Sequence, residues 1–278
     1  MSLSKSDLEK AKFCAQLCDL VYEPNLDTNY SKVIGLLPNI EIKNHFKYFG
    51  MVGFDTQALV LQKDDTIYIV FKGTQKNYDW AVNAFLRFTK DLKFGNYHSG
   101  FKWASELSFP TIGSYFLSSL ASNPRLKIVL SGHSLGGAMA TMYAHIIKQK
   151  HPGVTIDALI TFGQPRCGNF KFAEYFNSLK IDYKRFVNKG DYIADVPLPI
   201  WRGLWSHAGS GFVLSESALT VDNTNYESDL SFRILKLVKT YFLLRKMKTL
   251  NKETFKQLSS NHDMSLYLKH IDEEIARK

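Results

Sequence analysis

Gly132-His133-Ser134-Leu135-Gly136-Gly137-Ala138 follows directly on the apolar run Lys127-Ile128-Val129-Leu130-Ser131, and this junction decides the fold. A β-like run that ends in Gly-x-Ser-x-Gly and passes into a helical pattern is the signature of a nucleophile elbow, a sharp turn that lifts one serine hydroxyl above a sheet. Glycines two residues to either side of the serine leave room for the tight turn and for close approach of strand and helix. Ser134 is the nucleophile this pattern predicts. Downstream, Ala138, Met142, Ala144, Ile146 and Ile147 recur at helical spacing, and Pro152-Gly153 marks the stop.

Working outward, Ser6-Asp7-Leu8-Glu9 reads as a capping box opening an amphipathic first helix with apolar residues at Leu8, Ala11, Ala15, Cys18 and Val21-Tyr22. Tyr48–Phe54, Gln57–Gln62 and Thr66–Phe71 read as strands, the last two joined by the turn residues Asp64-Asp65. Beyond the elbow, Ile156–Phe162 and Tyr183–Val187 read as buried strands around a helix over Phe170–Leu179. Strands alternating with helices predict an α/β fold with a mainly parallel central sheet and helices on both faces. Ligands of such sheets bind beyond the carboxyl ends of the strands, which puts Ser134, Gly73-Thr74 and Gly163-Gln164 on one rim.

The 278 residues are 45% hydrophobic, ample for a full core, and no composition break or repeat divides them, so one domain over 1–278 is expected. Met1–Lys10 lacks the apolar stretch of a signal peptide, and no apolar run is long enough to span a bilayer. Cys14, Cys18 and Cys167 are odd in number, and the first two lie four apart, as core-facing small residues would. A soluble chain of reducing, cytoplasmic origin is the expectation. The formal charge of +9 attracts anionic membranes and nucleic acid alike, but no nucleic-acid motif is present.

A serine hydroxyl needs a base to take its proton and usually a carboxylate to orient that base, in the chain order Ser, acid, His. His145 and His151 belong to the elbow helix or its end, and His270 sits among Lys269, Asp272 and Glu273 on a face expected to be solvated. His207 and His262 remain, the latter where a loop turns into the last helix. Asp191, directly after the Tyr183–Val187 strand, is the leading acid, with Asp195 as the alternative. His98 and His133 have no Cys or His at ligand spacing and read as structural histidines rather than metal ligands. No metal or cofactor is expected.

Val70-Phe71-Lys72-Gly73-Thr74, His98-Ser99-Gly100-Phe101, the elbow itself, Thr161-Phe162-Gly163-Gln164-Pro165-Arg166, Val187-Asn188 with Asp191, and His262 with Tyr267 together resemble the class 3 lipases, the fungal-lipase-like branch of the α/β-hydrolases. The resemblance implies an α/β-hydrolase fold with Ser134 as nucleophile, Asp191 as orienting acid and His262 as general base. It also implies Thr74 and the Leu135 N–H as the oxyanion hole, and it sets His207 outside the triad. Two features depart from the family pattern. Tyr192-Ile193-Ala194-Asp195 separates Asp191 from Val196-Pro197 and keeps Asp195 as an alternative, and the long basic stretch Arg233–Lys256 matches no family motif.

Gln75–Tyr97, with Tyr78, Trp80, Val82, Phe85 and Phe88, occupies the place of a family lid, and the spacing from Trp80 through Phe88 predicts a short amphipathic helix. Eight Lys or Arg and one Glu among the apolar residues of Ser231–Leu258 read as a basic amphipathic helix that docks on the core or on an anionic membrane. The implied substrate is a lipid or other ester. Three function classes fit: a serine esterase or lipase on glycerolipids, a phospholipase or acyltransferase on the same framework, and a non-catalytic lipid-binding relative.

Overall fold

The computed structural model describes residues 3–23, 41–49, 55–73, 88–197, 205–222 and 260–278. Helix α1 spans Lys5–Leu20, and its capping box lies two residues earlier than Ser6-Glu9. Ser4, in an extended conformation, accepts the Asp7 N–H on its hydroxyl (3.1 Å), and the Asp7 carboxylate accepts the Ser4 N–H (3.0 Å). The pair satisfies the first orphan donors there, so Ser6 is already helical.

Eight strands form the main sheet: β1 (Glu41–Phe49), β2 (Asp55–Lys63), β3 (Thr66–Phe71), β6 (Lys127–His133), β7 (Ala158–Phe162), β9 (Tyr183–Asn188), β11 (Ser210–Leu214) and β12 (Leu219–Asp222), in spatial order β1-β2-β3-β6-β7-β9-β11-β12. The five strands from β3 to β11 run parallel, and the antiparallel additions β1-β2 and β12 flank them. This is the expected α/β architecture with a mainly parallel centre. The strand expected at Tyr48–Phe54 is instead β1, ending at Phe49, and residues 50–54 lie outside the described ones. Its sequence Glu-Ile-Lys-Asn-His-Phe-Lys-Tyr-Phe mixes polar and apolar residues, and its register against β2 shifts between Ile42 and Asn44.

A second sheet of four two-residue strands, too short to carry a periodicity, escaped the sequence reading: β4 (Phe88–Thr89), β5 (Tyr97–His98), β8 (Gly168–Asn169) and β10 (Trp205–Ser206), ordered β10-β8-β5-β4. Phe88, expected to end the lid helix, is therefore a strand residue, and the rest of that expected helix lies outside the described residues.

Helices cover both faces of the main sheet. Phe101, Ile112 and Phe116 of α2 (Ser99–Ser122), Met142 and Ile146 of α3 (Leu135–Lys150), and Phe172 and Phe176 of α4 (Phe170–Ser178) bury against Ile67, Ile69, Ile128 and Leu130. On the other face Leu8, Ala11, Cys14 and Cys18 of α1 and Met264, Tyr267 and Ile271 of α5 (Met264–Arg277) meet Leu59, Val70, Val129 and Ile160. Cys14 and Cys18 thus act as core residues; burial pushes the Cys14 thiol up to about 12, which keeps it an unreactive thiol. Among the described residues no helix is long and apolar enough to cross a membrane.

Candidate active site

Strand β6 ends at His133, and Ser134 takes φ +57° and ψ −127° before α3 begins at Leu135. A non-glycine residue in that region is strained, and the strain is held by packing on every side. A side chain at Gly132 would overlap the backbone of Gly136, and one at Gly136 would overlap the Phe71 carbonyl. The two glycines let β6, α3 and β3 meet. The Ser134 N–H donates to the Phe162 carbonyl of β7 (2.8 Å), tying the elbow to the neighbouring strand. Leu135 opens α3, so its N–H is one of the donors at a helix start that lack an intrahelical acceptor. Gly73, the last described residue after β3, lies against the elbow, its would-be Cβ 3.2 Å from Ser134 Cβ. Thr74 lies outside the described residues.

Asp191 and His262 come from the next segments along the rim. His262 Nδ1 lies 2.7 Å from Asp191 Oδ2. Because a carboxylate only accepts, Nδ1 carries the proton and Nε2 is left with the lone pair a base needs. Asp191 has no exposed side-chain surface. Three donors compensate its burial: His262, the Tyr267 hydroxyl on the same oxygen (2.5 Å), and the Ile193 N–H on Oδ1 (2.9 Å). Burial, together with the Asp191 charge, drives the Tyr267 phenol well above its ordinary value, so it remains a protonated donor. Its oxygen in turn accepts the Asn188 N–H at the end of β9 (3.1 Å).

The alternatives are placed elsewhere. The Asp195 carboxylate is 41% exposed and pairs at 3.4 Å with Arg166 Nη2. The His207 ring is buried with Nε2 2.8 Å from the Ala194 carbonyl. His145 is enclosed by Phe94, Tyr97, Phe172 and Tyr175. His98 caps α2, accepting the Phe101 N–H on Nδ1 (3.2 Å). His270 corrects the sequence reading: it is buried, not on a solvated face, and its Nδ1 lies 3.0 Å from Asn188 Oδ1.

A turn that projects a serine at the carboxyl end of a parallel sheet, with a buried Asp-His pair beside it, matches a known family. The class 3 lipase model covers residues 68–201. That segment, which carries the elbow and Asp191, is similar to the class 3 lipases. A lipase of Rhizopus niveus is 34% identical over 152 residues, 51% of this chain and 38% of that protein. A secreted mono- and diacylglycerol lipase of Fusarium solani is 29% identical over 234 residues, 81% of this chain and 68% of that protein. The crystal structure of the lipase from Rhizopus microsporus var. chinensis superposes with a TM-score of 0.70 over 80% of this chain and 79% of that one, at 23% identity, a likeness of fold. The fold is that of the α/β-hydrolases. The chain spans well under half the length of the Rhizopus niveus lipase it matches.

Two residues of the site have contacts that the sequence pattern does not announce. Tyr267 closes the first turn of α5, just after the loop that carries His262, and that turn brings its hydroxyl to Asp191. Asn188 ends β9 and binds the loop that carries His262 through its side-chain amide, which donates to the Asn261 carbonyl (3.0 Å). A polar residue closing a buried strand was the available signal.

Proposed function

We propose that this chain is a serine carboxylic-ester hydrolase of glycerolipids, with Ser134 as nucleophile, His262 as general base and Asp191 as the carboxylate that orients it. The observation that carries the reading is the 2.7 Å contact between His262 Nδ1 and the buried Asp191 carboxylate at the rim where the Ser134 elbow projects. In the reaction His262 Nε2 takes the Ser134 proton as the hydroxyl oxygen attacks the ester carbonyl, and the tetrahedral oxyanion is held by the N–H groups of Leu135 and Thr74. Collapse expels the alcohol, which leaves with the proton from His262. Water then repeats the sequence on the acyl-enzyme and frees the acid. Asp191 stabilises the imidazolium that forms at each step.

The glycerolipid assignment draws on the Rhizopus and Fusarium relatives, which are lipases, the second of mono- and diacylglycerols. A lipid–water interface or an anionic membrane as the site of action is supported by the aromatic run within Gln75–Tyr97 and by the basic stretch Arg233–Lys256. The latter lies outside the described residues. The test is a fluorophosphonate probe with Ser134→Ala beside the wild type, on a soluble p-nitrophenyl ester and on an emulsified glycerolipid. Labelling and hydrolysis both vanish in the variant while its unfolding transition persists. Hydrolysis by a clean Ser134→Ala preparation refutes the serine mechanism.

A further inference from the structure

The residue that precedes the nucleophile makes two hydrogen bonds that the mechanism above does not use. His133 Nε2 lies 2.7 Å from the backbone carbonyl of His262, and His133 Nδ1 lies 3.0 Å from the hydroxyl of Tyr22, just beyond the end of α1. A carbonyl has no proton to give, so Nε2 must be the protonated nitrogen, and Nδ1 then accepts from Tyr22. The His133 and His262 rings lie 4.5 Å apart, centroid to centroid. We propose that His133 is a positioning residue for His262, holding the base by its main chain, and that Tyr22 fixes the His133 tautomer that allows this. The proposal rests on His262 being the base.

The need for such a device follows from the loop. His262 lies in the turn Ser260-Asn261-His262-Asp263 that enters α5. Its hydrogen bond to Asp191 sets how the ring is rotated, but the reach of Nε2 toward Ser134 also depends on where the main chain sits. Two consecutive carbonyls of that turn are held by side chains from the sheet. Asn188 at the end of β9 binds the carbonyl of Asn261 and is itself held by His270, while His133 at the end of β6 binds that of His262. Because His133 also precedes Ser134 in the chain, a single residue sets both the nucleophile's backbone and the base's, which fixes their separation.

The charge state fits the role. Burial, with the neighbouring His262 ring adding to it, holds His133 well below the ordinary imidazole value. It is therefore neutral when His262 becomes an imidazolium, and no like charge opposes the proton transfer.

The experiment uses the full chain, a short soluble p-nitrophenyl ester and four variants: His133→Phe, His133→Gln, Tyr22→Phe and Ser134→Ala. His133→Phe keeps a flat ring without donors, and its kcat falls by about tenfold to a hundredfold with little change in KM. His133→Gln places an amide donor near the position of Nε2 and recovers most of that loss, which a general packing defect would not permit. Tyr22→Phe lowers kcat by a smaller factor. In imidazole ¹⁵N NMR spectra at neutral pH, His133 of the wild type shows a protonated Nε2 and a bare Nδ1, and Tyr22→Phe shifts it toward a tautomer mixture. The proposal is overturned if His133→Phe keeps its kcat, if His133→Gln is no better than His133→Phe, or if the wild-type spectrum shows Nδ1 protonated. Should His133→Phe fail to fold, the glutamine and Tyr22 variants and the spectrum decide. Hydrolysis by Ser134→Ala marks failure of the serine mechanism itself, a result separate from any of these.

Discussion

A methyl group at residue 163 would test the Asp191-His262 pair without removing either member. Gly163 follows directly on β7 at φ +55°, and a Cβ there would lie 2.6 Å from Asp191 Oδ2, 2.8 Å from His262 Nδ1 and 2.8 Å from His262 Cε1. Ordinary contact begins near 3.4 Å, so the pair must retreat by about 0.6–0.8 Å or the strand end must move. Neither side chain is a free end that can swing aside, since Asp191 holds three donors and His262 is bonded through its ring and its carbonyl. A displacement approaching 1 Å within a reacting constellation lowers kcat by on the order of a hundredfold, or about 3 kcal/mol of transition-state stabilisation. The left-handed backbone adds an independent loss of about 1 kcal/mol in stability for a residue with a Cβ. Gly163→Ala is therefore expected to lose about two orders of magnitude in kcat on a soluble ester, with a small drop in urea midpoint. Gly153→Ala, where a Cβ meets nothing within 4 Å, is the control. Wild-type kcat in Gly163→Ala would show that the pair has slack and that its 2.7 Å contact is not a constraint on the chemistry.

For the acid, Asp191→Asn is expected to reduce kcat by about 10⁴, whereas Asp195→Asn, which removes an exposed partner of Arg166, costs less than about tenfold. The reverse ranking in steady-state assays would transfer the orienting role to Asp195. Burial, with Lys102 nearby, pushes His145 from 6.5 down to about 4. The unfolded chain therefore takes up the proton first. His145 weighs nothing against stability above about pH 6.5 and removes about 3 kcal/mol as pH falls through about 4. Urea unfolding of the wild type and His145→Leu across that range isolates the term, and parallel pH profiles would refute it. In the basic stretch, replacing Lys236, Lys239 and Lys246 with Gln is expected to weaken binding to anionic vesicles by on the order of a hundredfold at low salt. Hydrolysis of a short soluble ester is unchanged, and vesicle sedimentation that ignores both charge and salt would exclude a membrane role for this stretch.

The parts of the site legible in the sequence are those forced by the backbone. Gly132 and Gly136 stand where main chains touch, so their spacing around Ser134 reads directly as geometry. His270 shows where local reading failed and why. Its charged neighbours Lys269, Asp272 and Glu273 suggested solvent, but the buried positions Met264, Tyr267, Ile271 and Glu274 recur every three or four residues and place His270 on their stripe. That period, visible in the sequence, outweighs the composition of a three-residue neighbourhood. Tyr22 could not be read in the same way, because its partner lies 111 residues away and only the packing of α1 on the sheet brings them together.

Arg166 explains how the residues between Asp191 and Val196-Pro197 are held. Ile193–Asp195 form one short 3₁₀ turn, and the guanidinium of Arg166, fully buried, gathers the far side of it. Nη1 binds the carbonyls of both Asp195 and Pro197, the latter at 3.0 Å, and Nη2 reaches the Asp195 carboxylate. The Arg166 N–H also donates to the Val196 carbonyl (2.7 Å). On the near side the Asp191 carboxylate accepts the Ile193 N–H, so this segment begins by folding back on Asp191 itself. Asp191 consequently keeps a fixed place just after β9 while residues 192–197 run as a turn anchored to Arg166, in the segment that follows β7. The same anchoring draws Asp195 outward, to a carboxylate 41% exposed and committed to Arg166. Spacing alone left two acids open; the buried arginine, by fixing one end of the turn, decides which of them faces the histidine.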